Sequence, residues 1–108
     1  MDAPCRFFVV GSSIFIMALE AALISVPEVT TTRAHPNQLE QLPNAAVSPA
    51  HVAILFERDS LSPRLQGRLS RAGYALISLD AATTVGTRAD GRKQAITSAD
   101  DLLKLIQP

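Results

Sequence analysis

Residues 52–79, VAILFERDSLSPRLQGRLSRAGYALISL, decide the fold class. Val52-Ala53-Ile54-Leu55-Phe56 is a short unbroken apolar run, the pattern of a strand buried on both faces. Ser62-Pro63 follows as an N-cap with proline at the first helical position, where its missing N–H leaves no bond unmade. Leu61, Leu65, Leu69 and Ala72 then recur at helical spacing, and Gly73 supplies a left-handed stop. Tyr74-Ala75-Leu76-Ile77-Ser78-Leu79 is a second buried strand. A strand, a helix and a strand joined by short links predict a β-α-β unit with parallel strands and a right-handed crossover.

Working outward toward the carboxyl end, Ala89-Asp90-Gly91 is a turn signal around which Thr83–Arg88 and Arg92–Thr97 can pair as a hairpin, with a plain surface loop as the alternative. Ser98-Ala99-Asp100-Asp101 is a capping box with Asp in place of Glu, opening a final helix that carries Leu102, Leu103, Leu105 and Ile106. The expected fold class is therefore α/β: a small β-α-β unit plus a C-terminal helix over residues 51–108. A module of that size lies near the floor for independent folding, so a further strand or a partner is expected to complete it.

Working outward the other way, residues 27–50 carry prolines at 27, 36, 43 and 49 among threonines, asparagines and glutamines, and are expected to be a proline-rich linker. Leu39 and Leu42 can make one short turn against a neighbour. Residues 7–26, FFVVGSSIFIMALEAALISV, contain Glu20 as their sole charge. As a helix they would span about 30 Å, the thickness of a bilayer core. The expectation is an N-terminal hydrophobic helix in residues 1–26, acting as a signal peptide or membrane anchor. The competing reading is a core helix of a cytoplasmic protein, with Ile14, Ala18, Ala21, Ala22 and Ser25 flanking it and Glu20 left exposed.

Composition bounds the function. The 108 residues allow one domain at most, and ten basic residues cancel ten acidic ones, which argues against nucleic acid as a partner. Three of the five aromatics lie in the first fifteen residues, so a core built from 51–108 alone is thin. A single cysteine excludes an internal disulfide framework and a multi-thiolate zinc site. No glycine-rich phosphate loop follows the first strand of the β-α-β unit, and neither His35 nor His51 sits in a nucleophile pairing, so no cofactor or catalytic set is assigned.

Parallel α/β units bind ligands beyond the carboxyl ends of their strands, which makes Glu57, Asp59, Asp80 and Thr83 the candidate ligand-binding residues. Arg64, Arg68 and Arg71 form a row on the helix, about a quarter-turn from the leucine stripe, and are the candidate partner-binding residues; alternatively their stems simply cover the edge of the core. The stretch 68–80, RLSRAGYALISLD, resembles many flavodoxin-like and receiver-type domains in its helix-to-strand grammar. It lacks the acidic pocket and five-strand length of a receiver, so the resemblance carries over no functional residue.

The function expected from sequence is a non-enzymatic accessory protein of the cell envelope, exported or held at the membrane by residues 7–26, that contacts a protein partner or a second copy of itself. The alternatives are a small cytoplasmic α/β enzyme or ligand-binding domain with an acidic site at Glu57, Asp59 and Asp80, or a truncated remnant of a larger α/β protein.

Overall fold

Aromatic and β-branched side chains suit a pleated surface covered on both sides, and Arg6–Val10 forms a strand, β1. The computed structural model, which describes residues 6–27, 29–42 and 52–106, ends this strand at Gly11 with φ +129°. Ser13 then caps helix α1 (Ile14–Ile24), its hydroxyl accepting the Ile16 N–H at 3.2 Å. The single hydrophobic helix expected over 7–26 is thus corrected to a strand, a turn and an 11-residue helix. Helix α1 is about 16 Å long, and no helix among the described residues is long and apolar enough to cross a membrane. The reason is compositional: a strand buried on both faces is as continuously apolar as a membrane segment, and Gly11-Ser12-Ser13 is the break between two elements.

Part of the expected linker is also structured. Thr30–Arg33 forms strand β2, and Pro36–Leu39 forms one helical turn, α2. The turn is capped at both ends of its box: the His35 ring accepts the Asn37 N–H at 3.2 Å, and the Gln38 side chain accepts the His35 N–H at 2.7 Å. Leu39 and Leu42 are buried, as their spacing suggested. Residues 28 and 43–50 of the linker, and His51, lie outside the described residues.

The decisive stretch folds as β3 (Val52–Glu57), α3 (Pro63–Arg71) and β4 (Ala75–Asp80), with β3 and β4 parallel and Leu55 opposite Ile77. Ser62 caps α3 by accepting the Leu65 N–H, and Gly73 follows its end with φ +98°. The expected hairpin is β5 (Val85–Arg88) against β6 (Lys93–Ala95), and the final helix is α4 (Ala99–Ile106). The Asp101 carboxylate reaches back past Ser98 to the N–H and hydroxyl of Thr97, at 2.9 and 2.7 Å.

The described residues make a mixed α/β fold around a six-stranded sheet in the order β2-β1-β3-β4-β5-β6. The pairs from β2 through β4 are parallel, and β5 and β6 are added antiparallel. Strand β1 therefore stands between β2 and β3, supplying the third parallel strand that the β-α-β unit lacked on its own.

Two apolar layers cover the sheet. On one face Phe7, Val9, Leu55, Ile77 and Leu79 meet Ile16, Leu19 and Leu23 of α1 and Leu102, Leu105 and Ile106 of α4. On the other, Val10, Ile54, Phe56 and Leu76 meet Leu65 and Leu69 of α3, with Leu39, Leu42 and Tyr74. The Tyr74 hydroxyl donates to the Leu42 carbonyl at 3.0 Å, which satisfies a buried phenol and fastens the segment after α2 to the start of β4. Beyond α3 the second face changes character: Ser78, Thr87 and Lys93 stand side by side across β4, β5 and β6. Such a polar row is what an antiparallel extension with one solvated face requires.

Candidate functional site

The order of strand addition reverses at β1: β2 lies on one side of it and β3 on the other, all three parallel. In open α/β sheets this switch point leaves a crevice beyond the strand ends. Here the chain fills part of it. Glu57, at the end of β3, places Oε1 2.5 Å from the Ser13 N–H and 2.6 Å from the Ser12 N–H, accepting both at the start of α1. The Ser13 N–H chiefly, helped by the Ser12 N–H, the Ser13 hydroxyl and the positive charge of Arg33, outweighs the opposing effect of burial and holds the Glu57 carboxyl below its ordinary range.

A helix N-terminus attracts an anion, and at α1 that anion is the chain's own carboxylate. Gly11 makes the arrangement possible. A Cβ at this position would lie 2.5 Å from Glu57 Cγ and Oε1, and the φ of +129° disfavours any side chain. Arg33, at the end of β2, donates to the Gly11 carbonyl and pairs with Glu20 of α1 at 2.8 Å. Three strand ends and one helix are thereby tied at a single point.

The other carboxylates singled out from sequence serve local structure. Asp59 adopts φ +76° in the turn after β3, a conformation that Asp tolerates better than most residues. Asp80 accepts the Ala82 N–H at 2.9 Å and lies 3.6 Å from Arg58. Asp80 and Thr83 border an open groove of about 510 Å³, with Arg58, Ser78, Thr87 and Lys93, on the α3 side of the sheet. Glu57 instead faces α1, so the structure sends Glu57 and Asp80 to different sides rather than into one acidic pocket. Among the described residues no group of three or more His, Cys, Asp and Glu is placed to hold a metal ion.

The arginine row is partly spent on internal contacts. Arg68 donates to the Glu40 carbonyl at 3.4 Å and lies 3.9 Å from its carboxylate, joining α3 to the end of α2. Arg64 is exposed, and the Arg71 guanidinium lies along the helix beside Gly67. Sequence reasoning missed a cleft of about 540 Å³ at the ends of β1 and β2, where Gly11, Ser12, Arg33, His35, Gln38 and Ser60 converge. Four of its polar side chains are already engaged in holding backbone: Arg33 on Gly11, His35 on Asn37, Gln38 on His35 and Ser60 on the Glu57 carbonyl. The available signal was the strand-to-helix turn Gly11-Ser12-Ser13 inside the apolar run.

The large hydrophobic side chains left exposed among the described residues lie elsewhere, on α1. Helix α1 buries Ile16, Leu19 and Leu23 and turns Ile14, Met17 and Ile24 outward, with 88 %, 54 % and 66 % of their surface exposed. Ala18 and Ala21 are exposed between them. The outer faces of the other long helices are polar, with Arg64, Ser70 and Arg71 on α3 and Asp100 and Lys104 on α4. Comparison with protein-family models, with curated proteins and with solved structures finds no match to this chain.

Proposed function

We propose that the protein is a binding module that works through protein–protein contact, with the outer face of α1 as its docking surface. The observation that carries the reading is the exposure of Ile14, Met17 and Ile24 on a helix whose opposite side is already buried in the core. A helix that is apolar all round belongs between two layers, not at a water boundary. Each large side chain removed from water contributes about 1.5–3 kcal/mol to association. The accessory role in the cell envelope expected from residues 7–26 rested on their being one membrane segment; a docking role does not require it.

The test is the size of the chain in extracts of the cells that make it, cross-linked with formaldehyde before lysis so that a weak contact survives dilution. Wild type is expected to elute as a complex larger than the 11.5 kDa chain. The double variant Ile14→Ser with Ile24→Ser, folded by circular dichroism, is expected to elute as the free monomer. Wild type eluting as a monomer would overturn the reading.

A further inference from the structure

We infer that the occupant of this face is a second copy of the same chain, packed α1 on α1 in antiparallel fashion about a two-fold axis level with Leu19; this rests on the docking role proposed above. Ile14, Met17, Ala21 and Ile24 follow one another at spacings of three, four and three residues, the seam of a two-helix packing. The seam is symmetric about position 19. Reversing a copy of the helix sets Ile14 against Ile24 of the second copy and Met17 against Ala21 of the second copy. Large then meets small at the inner level, and the outer level is matched isoleucine to isoleucine. Exposed Ala18 beside the seam allows close backbone approach.

A parallel pairing would instead stack Met17 on Met17 and leave Ala21 facing Ala21 across a gap. Either arrangement is two-fold and self-complementary, so packing decides between them, and only the antiparallel one sets Met17 into the space that Ala21 leaves. Charge does not oppose it. No charged residue lies in the seam, and Glu20 on its flank is matched within its own chain by Arg33 at 2.8 Å. The axis therefore brings two neutral ion pairs, not two bare carboxylates, to the same edge.

Area sets the strength. A helix about 16 Å long falls short of the roughly 800 Å² per partner that a standard stable interface buries. The contact belongs to the weak class, forming and dissociating over the micromolar to millimolar range.

The experiment uses the full chain with Cys5→Ser. Ile14→Cys and Ile24→Cys chains are oxidised separately and mixed. In the antiparallel pair, like positions are about 15 Å apart along the axis, beyond the roughly 7 Å Cα limit of a disulfide, whereas unlike positions are level. The mixture is expected to give disulfide-linked dimer in several-fold higher yield than either chain alone. Equal yield from a single variant, or no dimer from the mixture, overturns the proposal. Sedimentation equilibrium from about 10 µM to about 1 mM is expected to show wild type rising toward twice its 11.5 kDa mass, with Ile14→Ser/Ile24→Ser staying monomeric. A purified monomer throughout, with the native complex in extracts intact, sinks the second copy but leaves docking to another protein. A monomer in both sinks the two readings together. Binding of wild type, but not the double variant, to phosphatidylcholine vesicles, without the mixed cross-link, assigns the face to lipid and also overturns the proposal.

Discussion

The Glu57 carboxylate accepts the Ser13 N–H at 2.5 Å, so the end of β3 holds the start of α1 across 44 residues of chain. Through this contact the sheet fixes where α1 begins, and so which of its faces is buried and which turns outward.

Because Glu57 titrates below its ordinary value in the folded chain, its ionised form stabilises the fold. That contribution is present above about pH 4.5, the value of an unperturbed glutamate, and is lost as pH falls through the depressed folded value. Thermal melts of wild type and Glu57→Gln are expected to differ most near neutral pH and to converge in acid. A gap that does not change with pH would contradict the assignment.

Gly11→Ala places a Cβ 2.5 Å from Glu57 and forces alanine to φ +129°. The backbone strain alone is expected to cost about 1–3 kcal/mol. Removing the side chain it strikes separates the two effects: Gly11→Ala is expected to cost less in a Glu57→Ala background than in wild type. Urea unfolding of the four chains in the cycle measures the coupling.

Ile14 and Ile16 are the same residue type two positions apart, one 88 % exposed and the other fully buried. Ile16→Ala is expected to lose about 2–5 kcal/mol, and Ile14→Ala to stay within about 0.5 kcal/mol of wild type at low protein concentration. Comparable losses at both positions would mean that α1 packs with a different face inward.

Thr84 sits at φ +57° in the link between β4 and β5, a region that β-branched residues rarely occupy. Thr84→Gly is expected to stabilise the chain by up to about 1 kcal/mol, the left-handed penalty relieved less the added freedom of the unfolded chain. Denaturant midpoints check this, and a lower midpoint would contradict it.

How much of this was legible follows from the kind of signal each element carries. The β3-α3-β4 unit announces itself through Ser62-Pro63, the leucine spacing and Gly73, because caps and periodicity are local. The hairpin around Ala89-Asp90-Gly91 was legible only at its turn, because the flanking Thr83–Arg88 and Arg92–Thr97 lack the apolar alternation that separates a strand from a surface loop. Strand β1 was not, since Phe7-Phe8-Val9-Val10 has the composition of a membrane helix and of a doubly covered strand alike. Strand β2 was hidden in a different way: Thr30-Thr31-Thr32 is a polar edge strand with no apolar alternation. At the candidate site, position was readable and partnership was not. Glu57 was singled out as a strand-end carboxylate, but its partners are backbone N–H groups at Ser12 and Ser13, which no side-chain pattern encodes. For α1 the cytoplasmic reading left Glu20 outward, whereas the structure half-buries Glu20 beside Arg33 and exposes Ile14. An apolar helix has no polar stripe to say which side faces water.

The central claim is that the outer face of α1 is covered in the cell. A photo-crosslinking amino acid at Met17, with a second chain carrying it at Arg64 on α3 for comparison, tests this where the protein is made. The account predicts a protein adduct from position 17, at twice the chain's mass, and none from position 64. Adducts from position 64 alone, or no protein adduct from position 17, would contradict it.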